Sequence, residues 1–322
     1  VQKNQLGKSG LSIAPLALGG NVFGWTIDEA TSFEILDAFV DFGFDCVDTA
    51  NMYSAWAVGN QGGESEAIIG KWFAKSGKRD RVVLATKVGM PMGDGSQGLK
   101  KDYILKSVED SLRRLQTDHI DLYQSHQDDA DTSFEETLLA YDELIKAGKV
   151  RAIGASNYSA DRLAQAIKES ESEGLPTYIS LQPEYNLFDR EGFERELEPL
   201  CVQEGLGVIS YYSLASGFLT GKYRSKDDLS KSARGGGIGE KYLNGRGFKI
   251  LEALDEVAAA QQSQPVVVSL AWLMHRKSIT APIASATSVT QLSELVKAAD
   301  MNLSDAQVEQ LDMASATTQN VE

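Results

Sequence analysis

Four side chains of this sequence have the types and spacing for acid–base chemistry: Asp48, Tyr53, Lys87 and His126. Asp48 lies in the run Cys46-Val47-Asp48-Thr49-Ala50, with Tyr53 just beyond it. Lys87 sits in Ala85-Thr86-Lys87-Val88, and His126 closes Tyr123-Gln124-Ser125-His126. A lysine inside an apolar strand is costly unless paired, and Asp48 on the neighbouring strand is its natural counter-ion. Such a pair alone would be a structural ion pair. Tyr53 beside it changes the reading. A nearby cation stabilises a phenolate and lowers the phenol from its ordinary pKa of about 10, which makes a proton donor tuned toward neutral pH. Of the three histidines, His119 precedes a strand and His275 falls on an amphipathic segment; both read as structural or surface residues. His126 alone ends a strand, where it can hydrogen-bond a substrate oxygen. The expected site therefore protonates an oxygen, with Tyr53 as donor, Lys87 and Asp48 setting its pKa, and His126 orienting a carbonyl. No Gly-x-Ser-x-Gly turn and no cysteine or metal grouping accompanies them. The nucleophile must come from elsewhere, and a cofactor hydride fits.

Eight short apolar runs must position these groups: Leu16–Gly20, Phe44–Thr49, Arg81–Val88, Ile120–His126, Val150–Ser156, Tyr178–Pro183, Gly207–Ser213 and Ile279–Ser285. They are too apolar to be half-exposed and too short for helices, so they read as strands buried on both faces. Between them lie amphipathic segments: Thr31–Gly43, Lys101–Leu115, Ser133–Ala147, Ser159–Glu171, Phe193–Glu204, Phe248–Gln262, Val266–His275 and Thr290–Ala299, then Ser304–Met313. Gly43 is placed to end the first. Ser133-x-x-Glu136 reads as a capping box, and Ser304 as an N-cap. Strands alternating with helices imply parallel βαβ units. Eight of them predict an α/β fold of the (β/α)8 barrel type, forming a single domain over 1–322. Gln5–Ser12 reads as a hairpin over the barrel floor. Two long, structureless insertions, Tyr53–Gly63 and Thr220–Gly247, follow the second and seventh strands and so fall on the face where barrel active sites form.

Composition narrows the class. Net charge is −15, which repels nucleic acid and anionic membranes over most of the surface. The two cysteines, Cys46 and Cys201, are too few for a disulfide framework and fit a reducing compartment. No run approaches the roughly 20 apolar residues of a membrane span, and Val1-Gln2-Lys3-Asn4-Gln5 has no apolar signal core. The expectation is a soluble, cytoplasmic protein.

The ordered segments then resemble the aldo-keto reductase superfamily, closer to its bacterial and aryl-alcohol dehydrogenase-like branches, over nearly the whole chain. The segments are Asp48-Thr49-Ala50 with Tyr53, Gly63-Glu64-Ser65-Glu66 with Ile69-Gly70, Thr86-Lys87-Val88, and Asp121-Leu122-Tyr123-Gln124-Ser125-His126. Further on come Gly148-Lys149-Val150-Arg151, Gly154-Ala155-Ser156-Asn157, Gln182-Pro183-Glu184-Tyr185-Asn186, and Leu214-Ala215-Ser216-Gly217-Phe218-Leu219-Thr220-Gly221-Lys222-Tyr223. The resemblance implies a nicotinamide dinucleotide bound without a Rossmann fold, and no Gly-x-Gly-x-x-Gly opens a first helix. It assigns Asp48, Tyr53, Lys87 and His126 to the catalytic tetrad. Ser156, Asn157 and Gln182 match the groups that hold the carboxamide, Asp48 is counted with the cofactor site as well, and Tyr211 matches the aromatic on which the nicotinamide stacks. Gly20 and Asn21 sit where the cofactor passes the barrel mouth. Ser213, Leu214, Ser216, Gly217, Leu219 and Lys222 match the loop around the pyrophosphate. Ala286, Thr287, Ser288, Gln291 and Glu294 match the adenosine-phosphate segment at a strand-to-helix turn. Many members carry Lys or Arg near Thr287 and Ser288, and Asn where Leu295 stands. NADP(H) is the favoured cofactor on family grounds and NAD(H) the alternative, with Lys222, Arg234 or Arg246 as substitute cations for the 2′-phosphate.

The substrate is expected to be a small-molecule carbonyl or alcohol, with Trp25, Tyr53, Trp56, His126, Gln127 and Tyr158 as walls. Aromatic faces suit a sugar, an aryl aldehyde or a polycyclic alcohol. Two other readings stand beside the reductase. One is a cofactor-binding regulatory subunit of the same fold with little turnover. The other is a Schiff-base enzyme using Lys87 as nucleophile, against which Asp48 argues because pairing raises a lysine's pKa.

Overall fold

The computed structural model describes residues 1–231 and 235–317. Two short antiparallel strands come first, β1 (Asn4–Gln5) and β2 (Ser12–Ile13), paired through Asn4–Ile13 and Gln5–Ser12. Eight parallel strands then close into a barrel: β3 (Ala17–Gly19), β4 (Cys46–Asp48), β5 (Val83–Val88), β6 (Ile120–Ser125), β7 (Val150–Ser156), β8 (Ser180–Gln182), β9 (Gly207–Ser210) and β10 (Ala281–Ala284). Each lies beside its sequence neighbour, and β10 closes the ring against β3. Every one of the eight apolar runs supplies one stave, trimmed by a few residues at its ends.

Helices α1 (Glu29–Asp41), α2 (Glu64–Ser76), α3 (Lys101–Leu115), α4 (Phe134–Lys146) and α5 (Ala160–Glu173) surround the first half. The second half carries α6 (Glu191–Glu194), α7 (Leu197–Glu204), α8 (Gly235–Lys241), α9 (Gly245–Ala260), α10 (Pro265–His275), α11 (Val289–Leu295) and α12 (Asp305–Ser315). Among the described residues, no helix is long and apolar enough to cross a membrane.

Several local expectations are corrected. No helix is expected between the Tyr53–Gly63 insertion and the third strand, yet α2 forms there, with Ile68, Ile69, Trp72 and Phe73 burying one face of it. The segment expected as one helix over 193–204 is two, because Pro199 has no N–H to donate and belongs in a first turn; α7 accordingly starts at Leu197. Only half of the first capping box forms. Ser133 Oγ accepts from Glu136 N at 3.2 Å, but the Glu136 carboxylate takes the Lys101 N–H instead. Ser304 and Gln307 make the reciprocal box that opens α12. The insertion over 220–247 is not structureless: a 3-10 turn (Lys226–Lys231) and α8 lie within it.

Two apolar layers result. Leu6, Ala17, Cys46, Ala85, Leu122, Ile209 and Ala281 fill the barrel axis, and Leu6 from the hairpin plugs its floor. The outer faces of the strands pack on the helices through residues such as Val47, Leu84, Tyr123 and Ile153. With the floor filled, the polar ends of the strands meet at the opposite mouth.

Candidate active site

Parallel register brings the chemistry together. Asp48 pairs with Ala85, Lys87 with Gln124, and Ser156 with Gln182. Gly154 pairs with Ser180 and keeps the wall open: a Cβ there would stand 2.4 Å from Ser180 Oγ and 3.2 Å from Gln124 Cγ.

Lys87 is 0 % exposed. Its ammonium has three N–H groups to place, and three acceptors receive them: Asp48 Oδ2 at 2.6 Å, the Thr49 carbonyl at 2.9 Å and Tyr53 Oη at 2.9 Å. Tyr53 Oη donates to Asp48 Oδ2 at 3.3 Å. The other carboxylate oxygen, Asp48 Oδ1, accepts from Gln182 Nε2 at 2.8 Å and Gln124 Nε2 at 3.3 Å. The His126 ring stands 5.9 Å from that of Tyr53, centroid to centroid. The four side chains singled out first thus form one cluster at the mouth.

Two electrostatic expectations are reversed. Burial, followed by the Asp48 carboxylate, pushes the Tyr53 phenol well above its ordinary range rather than below it. The cation meant to lower it is already matched by Asp48. Lys87 itself is pulled below the usual ammonium range, since burial outweighs the carboxylate beside it. Burial and the neighbouring Lys87 hold His126 well below an ordinary imidazole, so its ring is neutral at physiological pH. His126 Nδ1 is buried without a hydrogen-bond partner.

A cavity of about 1150 Å³ opens above the cluster. That exceeds the range of single small-molecule sites, roughly 300–1,000 Å³, and leaves room for an elongated ligand beside a small one. Of the residues expected at a cofactor, Asn21, Asp48, Ser156, Asn157, Gln182, Tyr211, Ser213, Leu214, Ser216, Gly217, Lys222, Thr287, Gln291 and Glu294 line it. Trp25, Tyr53, Trp56 and His126 line it as well. Others do not. Gly20 is buried, with room for a Cβ denied by Ser65 Oγ, and its neighbour Gly19 reaches the cavity instead. Leu219 and Ala286 are buried, and Ser288 caps α11 through Gln291 N. Gln127 stands outside the lining. Tyr158 is a core residue whose hydroxyl meets that of Tyr178 at 3.2 Å. Arg234 lies outside the described residues, and Arg246 donates to the Ser315 carbonyl at 2.6 Å, facing away from the cavity.

The loop after β9 is shaped for close approach. Ala215, Ser216 and Gly217 are successive left-handed residues with φ of 48°, 58° and 100°, a costly arrangement for the first two. Lys222 Nζ would be 3.8 Å from a Cβ at Gly217. Lys231, which sequence reading passed over, also lines the cavity, held by Asp228 at 2.6 Å and the Lys222 carbonyl at 2.9 Å. It follows no motif and carries no periodic signal, so only the folded loop reveals it. Across the cavity, Asn21 Oδ1 accepts from Ser285 Oγ at 2.5 Å. Thr287 N and Oγ1 both give to Gln291 Oε1 at 2.9 Å.

The aldo/keto reductase family profile matches residues 15–316. The chain belongs to the aldo/keto reductase family. Among its relatives, the uncharacterised oxidoreductase YrpG of Bacillus subtilis is 37% identical over 92% of this chain and 91% of its own. Norsolorinic acid reductase of Aspergillus flavus is 32% identical over 95% of this chain and 79% of its own. Aldo-keto reductase YhdN of Bacillus subtilis is 33% identical over 89% of this chain and 84% of its own. This aldo/keto reductase is therefore an oxidoreductase enzyme, built on a closed eight-stranded barrel.

Proposed function

We propose that the enzyme interconverts a small-molecule carbonyl compound and its alcohol, using NADP(H) in preference to NAD(H). The observation that carries this is the buried Lys87 ammonium, held by Asp48 and the Thr49 carbonyl and giving its third N–H to the Tyr53 phenol at the base of the cavity. The cavity residues fit a dinucleotide: amides at Asn157 and Gln182 suit a carboxamide, and the strained Gly217 loop with two lysines suits phosphates. When bound, that cofactor supplies or accepts the hydride.

The chain's own residues handle the oxygen. The neutral His126 ring donates to the carbonyl from Nε2, the tautomer that leaves its partnerless Nδ1 without a buried N–H. Tyr53 gives its hydroxyl proton to the same oxygen as charge develops there. Lys87 then holds the resulting phenolate through the bond it already makes. Asp48 keeps the ammonium charged and in place, and the two glutamine amides fix Asp48. Lys87 has no N–H or lone pair left for a Schiff base.

NADPH and NADH titrations of tryptophan fluorescence, followed by turnover of Tyr53→Phe, test the reading. Dinucleotide binding is expected to survive in the variant and turnover to fall by about 10²–10⁴-fold. Near-native turnover without the phenol would defeat the assignment.

A further inference from the structure

One motif of the sequence, Gly63-Glu64-Ser65-Glu66 with Ile69-Gly70, takes no part in the chemistry described above. It opens α2 and seats that helix against Arg114 of α3. A Cβ at Gly63 would stand 2.6 Å from Arg114 Cδ, and one at Gly70 would stand 2.1 Å from the Arg114 carbonyl oxygen. The second contact is with backbone and cannot yield, so only glycine lets α2 sit this close. Glu66 completes the seat. Fully buried, it accepts from Arg114 Nε at 2.7 Å on one carboxylate oxygen and from Thr86 Oγ1 at 2.6 Å on the other. Thr86 precedes Lys87 on β5.

Seated there, the first turn of α2 reaches the ends of β3 and β4. Ser65 Oγ donates to the carbonyl of Gly20, just beyond β3, at 2.8 Å. A serine hydroxyl has one proton, and a carbonyl can only accept. Thr49 Oγ1 therefore donates to Ser65 Oγ across 2.8 Å. Thr49 follows β4, and its own carbonyl accepts from Lys87 Nζ at 2.9 Å. Ser65 and Thr49 are both fully buried, so solvent does not replace a lost partner.

We propose that Ser65 is a positioning residue for the acid: from the first turn of α2 it fixes Thr49, whose carbonyl aims the Lys87 ammonium at Tyr53. The proposal rests on Tyr53 acting as proton donor with Lys87 beside it, as proposed above. Asp48 alone would hold the ammonium in one direction and leave it free to turn. The Thr49 carbonyl fixes a second direction, and the remaining N–H then meets Tyr53 Oη at 2.9 Å. Neither Ser65 nor Thr49 lines the cavity, so loosening this hold spares the residues placed to bind the dinucleotide.

The test measures benzaldehyde reduction with NADPH by the purified enzyme and by its Ser65→Ala, Thr49→Val and double variants. NADPH titrations of tryptophan fluorescence and thermal denaturation accompany it. Thr49→Val removes the hydroxyl and keeps the carbonyl that Lys87 uses. A misplacement of about 1 Å costs on the order of 100-fold, so each single variant is expected to lose about 10–100-fold in kcat. KM and NADPH affinity are expected to stay near native. The double variant is expected to lose no more than either single one, because both cut the same bond. Thr137→Val removes another buried threonine hydroxyl, bonded to the Leu99 carbonyl at 3.1 Å on a different helix. It is expected to lower the melting temperature and leave kcat unchanged.

A Ser65→Ala enzyme with near-native kcat overturns the proposal, and so does one whose losses fall on KM and NADPH affinity instead. A double variant whose loss is the product of the two single losses overturns it too, as does a Thr137→Val enzyme that loses kcat as Ser65→Ala does. If Ser65→Ala does not fold, Thr49→Val decides by the same kcat criterion. Near-native kcat in Ser65→Ala beside an inactive Tyr53→Phe enzyme defeats this proposal alone. Near-native kcat in Tyr53→Phe defeats the acid assignment and this proposal with it.

Discussion

Gln182 and Asp48 are 134 residues apart in sequence, yet Gln182 Nε2 donates to Asp48 Oδ1 at 2.8 Å. The bond ties the carboxylate that neutralises Lys87 to a side chain facing the cavity. Asp48 is held on one oxygen by a cation and on the other by two neutral amides. Buried charge of this kind is tolerable only when its remaining lone pairs are satisfied.

Removing one partner should therefore cost more than removing both. Lys87→Met leaves Asp48 buried beside no cation and is expected to destabilise the fold by about 3–5 kcal/mol. Adding Asp48→Asn should restore most of the melting temperature and none of the turnover. Thermal denaturation of the single and double variants checks this, and a double variant no more stable than the single one would refute it.

The raised Tyr53 pKa has a direction for catalysis. The phenol keeps its proton throughout the neutral range, so carbonyl reduction has its acid ready at pH 7. Alcohol oxidation needs the deprotonated form and is expected to accelerate as pH rises into the alkaline range. Initial rates in both directions from pH 6 to 10, with dinucleotide saturating, decide between this and a phenol already ionised near neutrality.

His126 predicts an acid weakness. Its pKa is depressed in the folded state below the ordinary 6.5, so below about pH 6.5 the unfolded chain binds a proton that the folded chain refuses. Stability is expected to fall as pH drops through that window, by up to about 1.4 kcal/mol per pH unit from this group. His126→Gln should flatten that part of the curve in denaturant titrations at pH 7, 6 and 5.

Lys231 offers a test of cofactor choice. Loss of one charge-assisted contact is worth roughly a factor of ten or more in affinity. Lys231→Met is expected to weaken NADPH binding by about that factor and NADH binding far less, measured by fluorescence titration at fixed ionic strength. Equal losses for both would place the lysine on the shared diphosphate.

The eight staves were legible because a barrel strand buried on both faces leaves an unbroken apolar run, and Lys87 within such a run announces a counter-ion. Other features depend on contacts that no local pattern carries. The destiny of Glu136 is set by Lys101 N on another helix. Tyr158 looks like a cavity wall from its place after β7, but its hydroxyl is drawn inward to Tyr178. The direction of the Tyr53 shift turns first on how deeply the phenol is buried and then on the Asp48 carboxylate beside it, neither of which a local pattern carries. Lys231 reaches the cavity only because the preceding turn folds back on Lys222.

The joint between β3 and β10 has one more consequence. Ile283 pairs with Ala17 and Ala284 with Leu18, and beyond them Ser285 Oγ donates to Asn21 Oδ1 across 264 positions of sequence. On a ribosome, everything through β9 can be made while this seam stays open. Asn21, Ser285 and the α11 residues Gln291 and Glu294 border the cavity, so a nascent chain carries an unfinished pocket until its last stave and the helix after it emerge. Closure of the ring, and with it completion of the site, is then a late event in the life of each molecule.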